Sequence, residues 1–248
     1  MANTIKGYIM IIIPARIGSS RFPNKVLADI GNTPMVIRTA MSVQDIDDVV
    51  IATDSEEVMQ IAQAYNIKAV MTSQSHQSGT DRIYEAAQKL GLNEDEVIIN
   101  VQGDEPFIET EVIEAIYKLT QSNKSNPSIM MNSCYKIITN PEADDPNIVK
   151  VVTDEKNIAL YFSRAKVPYP RDHHFDQYKG HLGIYGFTMK SLEAFCSTTP
   201  APLEDIEKLE QLRALYHGYS IAMVEVNTES FGIDTPEDLE KALRHHKL

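Results

Sequence analysis

The chain has 248 residues, 43% hydrophobic and 23% charged, with a formal net charge of −12, so it can bury a substantial core as one large domain or two small ones. An overall negative field repels phosphate backbones and acidic lipid surfaces; this argues against a nucleic-acid partner and makes any local cluster of cations informative. Cys134 and Cys196 are too few and too far apart for a disulfide framework or a thiolate zinc site, and the apolar residues 8–13 are too short a run to span a membrane. A reduced, cytoplasmic protein without membrane insertion is expected, and no repeat, low-complexity tract or linker divides the chain.

In chain order, residues 11–14 form an apolar, β-branched run closed by Pro14, the pattern of a buried strand in a parallel sheet. Thr33 and Pro34 predict an N-cap and first helical residue, with a helix to about Ser42. Residues 49–53 read as a second strand. Asp54 and Glu57 form a variant capping box for a helix to about Tyr65. Residues 67–71 read as a third strand, 81–90 as a helix, 97–101 as a fourth strand and 109–121 as a helix. Strands alternating with helices at this spacing predict an α/β fold with a mainly parallel sheet and right-handed crossovers. Ligands in such sheets sit beyond the carboxyl ends of the strands, where Arg16, Asp54, Gly79 and Asp104 all fall.

After Ser128 the pattern changes. Residues 129–137, 149–153, 159–163 and 183–188 read as strands without intervening helices, so residues 129–189 are expected to be a β-rich elaboration of a single domain over residues 1–248, and a candidate dimer surface. Residues 203–217 read as one helix with Ile206, Leu209 and Leu212 on its apolar face, and residues 221–226 as a late strand. Asp234-Thr235-Pro236 opens a final helix to about His245.

The chemistry concentrates after the first strand. Arg16, Arg21 and Lys25 fall within ten residues, around a loop whose Gly18, Ser19 and Ser20 are small enough for backbone amides to approach an anion. The same cations also suit a solvated surface, but clustering at a strand exit favours a phosphate cradle. Neither G-x-G-x-x-G nor G-x-x-x-x-G-K-[ST] occurs, which argues against a dinucleotide oxidoreductase or a P-loop ATPase. Asp104, in Gln-Gly-Asp-Glu-Pro, and Asp234, before the last helix, suit a magnesium site if they meet, and suit a turn and a helix entry if they do not. Arg164, His181 and Tyr185 are weaker candidates, and Glu210 and Gln211 are expected to face solvent.

The segments IIIPARIGSSRFPNK, IATD, HQSGTDR, VIINVQGDEP, LYFSRAKVP, HLGIYGF, PLEDIEKLEQLRAL and IDTPEDL resemble, in order and over nearly the whole chain, the 3-deoxy-manno-octulosonate cytidylyltransferases, or CMP-Kdo synthetases. That resemblance implies a Rossmann-like nucleotide-diphospho-sugar transferase fold and a homodimer. It further implies an Mg²⁺-dependent reaction of CTP with an eight-carbon ulosonic acid, Kdo, that yields CMP-Kdo and pyrophosphate for lipopolysaccharide or capsule. It assigns Ala15, Arg16, Ser19, Arg21 and Lys25 to the CTP phosphates and nearby groups; Ser78, Gly79 and Arg82 to the base and ribose; and Asp104 and Asp234 to the metal. Gln102, Arg164, His181, Tyr185, Glu210 and Gln211 would line the sugar site, Arg164 meeting the sugar carboxylate, with Arg16, Lys25, Asp104 and Asp234 the catalytic set.

The chain departs from the family at two places. Pro23-Asn24-Lys25-Val26 stands where Pro-Gly-Lys-Pro is usual, and asparagine, which tolerates the left-handed conformation, is expected to keep the loop's shape. Residues 171–180 form a shorter segment than in many members, a form that resembles relatives acting on 8-amino-Kdo. Two other readings stay open: the same reaction on a nine-carbon sialic-type acid, and a non-catalytic sugar-nucleotide-binding module.

Overall fold

The computed structural model describes residues 9–18, 22–76, 78–172 and 175–248. Its strands are β1 (Ile9–Ala15), β2 (Asp48–Thr53), β3 (Lys68–Met71), β4 (Val97–Asn100), β5 (Ile129–Ile138), β6 (Lys150–Thr153), β7 (Ala159–Ser163), β8 (Tyr178–Thr188) and β9 (Ser220–Glu225). Its helices are α1 (Met35–Val43), α2 (Glu56–Ala64), α3 (Gly79–Leu90), α4 (Thr110–Asn123), α5 (Asn140–Ala143), α6 (Met189–Ser197), α7 (Pro202–Glu207), α8 (Leu212–Tyr216) and α9 (Pro236–His246).

The strands belong to one sheet of order β3-β2-β1-β4-β8-β5-β9, with β6 and β7 attached beside β8. β1 pairs in parallel with both β2 and β4, so the strand order reverses at β1 and a crevice opens between the ends of β1 and β4. Antiparallel β8 joins β4 to β5, and β9 runs parallel to β5. The second half therefore extends the same sheet, and the hairpin of β6 and β7 leans on it.

Period-2 alternation explains why β1 is apolar throughout. Ile9, Ile11 and Ile13 pack with Val36, Ile37 and Ala40 of α1 and Ile113 and Ile116 of α4 on one face. Ile12 packs with Ile83 and Ala86 of α3 and Phe195 of α6 on the other. Each of these isoleucines is fully or almost fully buried, a gain of roughly 1.5–3 kcal/mol apiece. A smaller cluster joins Phe22, Ala28 and Ile30 to Phe231, Ile233, Leu239 and Ala242, tying the loop after β1 to the last helix.

Four local expectations are corrected. Pro34, not Thr33, is the N-cap of α1, which starts one place later than expected because an isolated bridge to Asp29 holds Pro34 extended. Ser55, not Asp54, caps α2, accepting from the Val58 amide at 3.4 Å. The helix expected over residues 203–217 is two helices: Lys208 turns left-handed at φ 54°, ending α7 and leaving Ile206 76% exposed while Leu209 and Leu212 stay buried. The single turn α5 also intervenes between β5 and β6.

Candidate active site

Three strand exits and the entry to α9 close around a cavity of about 260 Å³, lined by Pro14, Ala15, Arg16, Lys25, Val26, His76, Ser78, Gly79, Arg82, Gln102, Gly103, Asp104 and Asp234. Two glycines allow the loops to pack this tightly. A Cβ on Gly103 would stand 3.0 Å from the Pro14 carbonyl oxygen, and one on Gly79 would stand 3.3 Å from the Pro14 ring. Asn24 adopts the left-handed conformation, φ 55° and ψ 27°, as its place in the loop requires, and feeds a single 3₁₀ turn over Lys25–Leu27 that aims Lys25 inward.

Lys25 Nζ lies 2.5 Å from Asp104 Oδ2 and 2.8 Å from Asp234 Oδ1. The aspartates lie 130 residues apart in the sequence, and the backbone registers them: the Ile233 amide donates to the Asp104 carbonyl at 2.9 Å. Asp238 then accepts from the Asp234 and Thr235 amides as part of the capping box that opens α9. Burial works against the Lys25 charge, but the two carboxylates outweigh it and hold the lysine pKa above its usual value. Two carboxylate oxygens facing one point are donors that suit a hard divalent cation, which takes further ligands from water and phosphate. Among the described residues no cluster of three or more His, Cys, Asp or Glu could hold a metal by itself.

The N-terminus of α3 opens into the same cavity. Ser78 caps it, accepting from the Asp81 amide at 3.1 Å, and Gly79 begins the helix. Its free amides and dipole favour an electron-rich ligand. Arg82 lines the cavity but is only 2% exposed: its guanidinium pairs with Asp54 at 2.8 Å and donates to Thr72 at 2.6 Å. Its hydrogen bonds thus bind the ends of β2 and β3 together. Ser19 and Arg21 lie outside the described residues.

A second polar group adjoins the cavity across Gln102, whose side chain lies 3.8 Å from the Cβ position of Gly79 through Oε1 and 3.8 Å from that of Gly183 through Cγ. Tyr185 donates to Gln211 Oε1 at 3.2 Å, Gln211 Nε2 lies 3.5 Å from His181 Nδ1, and Thr80 donates to Glu210 Oε1 at 2.6 Å. Gln211 is buried and Glu210 half-buried, against the expected solvent exposure, because the turn at Lys208 folds them inward. Burial raises the Glu210 pKa and pushes His181 down to about 3, so the imidazole is neutral.

Arg164 stands apart in its bonding, its Nε donating to the Glu207 carbonyl at 2.8 Å and its Nη1 to that of Pro146 at 2.9 Å. Thr80, Ser133 and His76 carry contacts that sequence reasoning missed; only the polar pair Asn132-Ser133 inside an apolar strand offered a signal.

A doubly wound sheet with cations and paired carboxylates at its switch point has the makings of a nucleotidyltransferase, and residues 10–223 match the family model described as Cytidylyltransferase. The 3-deoxy-manno-octulosonate cytidylyltransferase of Nitratiruptor sp. is 58% identical, over 94% of this chain and 97% of its own. That of Helicobacter pylori strain 26695 is 53% identical, over 95% and 96%. The structure of a CMP:2-keto-3-deoxy-manno-octonic acid synthetase complexed with CTP superposes with a TM-score of 0.86 and 38% identity, covering 98% of this chain and 100% of that one. This chain belongs to the 3-deoxy-manno-octulosonate cytidylyltransferase family.

Proposed function

We propose that this protein is the cytidylyltransferase that activates Kdo with CTP, giving CMP-Kdo and pyrophosphate for lipopolysaccharide. The observation that carries this reading is the convergence of Lys25, Asp104 and Asp234 on one point of a cavity with Arg16 on its wall. Full-length similarity to curated relatives supports it.

In this reading the anomeric hydroxyl of the sugar attacks the α-phosphorus of CTP in line, and the bond to pyrophosphate breaks as the new P–O bond forms. No nucleophilic side chain is needed, so the residues act by position and charge. Ala15, Arg16, Ser19, Arg21 and Lys25 hold the triphosphate. Ser78 and Gly79 take the base and ribose at the N-terminus of α3, with Arg82 bracing the wall behind them. Asp104 and Asp234 would hold Mg²⁺, which would supply positive charge against the charge building on the phosphate oxygens. Lys25, which bonds both carboxylates, would stand beside the phosphates as a positive charge. Gln102, His181, Tyr185, Glu210 and Gln211 form the sugar side, and Arg164 steadies the Glu207 turn that presents Glu210.

Incubation with CTP, Mg²⁺ and Kdo, with 8-amino-Kdo and a nine-carbon sialic-type acid in parallel, tests the reading by mass spectrometry. CMP-Kdo and pyrophosphate are the expected products. Preference for the 8-amino sugar would assign the short 171–180 segment to substrate choice. CTP binding by calorimetry with no product from any ulosonic acid would make the protein a binding module.

We also infer a cytoplasmic homodimer. The CTP substrate supports the location. Among the described residues no helix is long and apolar enough to cross a membrane. The dimer is supported by Ile137, Leu160 and Tyr169, exposed by 44%, 60% and 84% on the 129–189 elaboration. Light scattering of the purified protein checks it, and a monomer at micromolar concentration counts against it.

A further inference from the structure

His181 and Tyr185 stand four residues apart on β8. On a regular strand such side chains share a face but lie about 13 Å apart. Here their ring centroids are 5.6 Å apart. The cause is an irregularity in the pairing with β5: Ser133 opposes Tyr185, yet the next residue, Cys134, opposes Leu182, so Gly183 and Ile184 have no partner on β5 and bulge out.

Ser133 sits at this bulge, fully buried. Its Oγ lies 2.7 Å from the Ile184 carbonyl, 3.2 Å from the Leu182 carbonyl and 3.0 Å from His181 Nε2. A hydroxyl has one proton to give. With that proton on the nearer carbonyl, that of Ile184, Ser133 can only accept from the imidazole, so Nε2 carries the ring proton and Nδ1 is left as an acceptor for Gln211. Gln211 in turn accepts from the Tyr185 hydroxyl. The hydrogen bonds then run one way, from Tyr185 through Gln211, His181 and Ser133 to the Ile184 carbonyl. Burial keeps His181 from taking the second proton that would break this order, and no charged partner contributes to its shift.

We propose that Ser133 is a positioning residue for the sugar pocket: its hydroxyl holds the bulge that brings His181 beside Tyr185 and fixes His181 as the Nε2–H tautomer. The inference rests on the assignment of His181 and Tyr185 to the ulosonic acid. Ser133 itself acts through His181, and the polarity it imposes decides which sugar hydroxyls meet a donor and which an acceptor.

The test uses full-length wild type, Ser133→Ala, Ser133→Thr and His181→Ala. Nitrogen-15 NMR of labelled histidine, with the His181 signal assigned by its loss in His181→Ala, reads the tautomer without substrate. The wild type is expected as Nε2–H, and Ser133→Ala as a mixture or Nδ1–H. Ser133→Ala is also expected to raise KM for Kdo about tenfold while KM for CTP and kcat stay within about twofold, as loss of one buried hydrogen bond predicts. Ser133→Thr, which keeps the hydroxyl, should restore both readouts. An unchanged tautomer in Ser133→Ala, an equal rise in KM for CTP, or no rescue by threonine would overturn the proposal. If Ser133→Ala does not fold, an Nδ1–H tautomer in the wild type overturns it and Nε2–H with an active Ser133→Thr supports it. His181→Ala separates the two readings: an unchanged KM for Kdo would remove the sugar assignment, whereas the tautomer shift decides the hold of Ser133 on His181.

Discussion

Lys25 bonded to Asp104 and Asp234 shows how much of the site depends on single side chains. Asp104→Asn keeps the shape of the turn but halves the charge available to a cation. Turnover with CTP and Kdo is expected to fall at least about a hundredfold while the melting temperature moves by only a few degrees. Near-normal activity in Mg²⁺ would remove Asp104 from the metal. Lys25→Ala is expected to cost turnover more than stability, but it also leaves two carboxylates facing each other. Mg²⁺ alone, without nucleotide, should therefore raise the melting temperature of Lys25→Ala more than that of the wild type. Equal shifts would mean that Lys25 and the cation do not share the carboxylates.

At the scale of elements, the site depends on how closely the strand exits can approach. Gly103 precedes Asp104 and faces the Pro14 carbonyl across 3.0 Å of prospective Cβ contact, a fixed backbone neighbour that cannot yield as a flexible side chain would. Gly103→Ala should displace the Asp104 turn by a few tenths of an ångström and lower turnover about tenfold, with CTP affinity by calorimetry changed less. A fully active variant would show that the loops tolerate this displacement. The turn at Lys208 works in the same way on the other side of the site, since one continuous helix would have carried Glu210 and Gln211 to solvent.

For the whole molecule, the neutral His181 links the sugar side to global stability. Its pKa falls from an ordinary 6.5 to about 3 by burial alone. Above pH 6.5 the ring is neutral folded and unfolded and contributes no pH dependence. Between pH 6.5 and about 3 the unfolded chain binds a proton that the native state refuses, so stability falls as pH falls. Urea melts between pH 7 and 4 should give a steeper decline for the wild type than for His181→Gln, and comparing the two removes contributions from other groups. Parallel slopes would mean that water reaches the ring and protonates it in place.

The amino-acid sequence by itself determined the alternating half of the fold, because apolar strands and capped helices are set by neighbours within a turn or two of chain. It also marked Arg16, Lys25, Asp104 and Asp234 as candidates, since their residue types and their places after a strand or before a helix are local properties, and it anticipated the left-handed Asn24. Only the tertiary structure decided that Asp104 and Asp234 meet, because their approach depends on the Ile233-to-Asp104 backbone bond and on α9 packing against the loop after β1. It also turned Glu210 and Gln211 inward and folded the β8 bulge over Ser133. Those features depend on a left-handed turn and a slipped register, and both arise from packing between segments distant in the chain rather than from the period of any one of them.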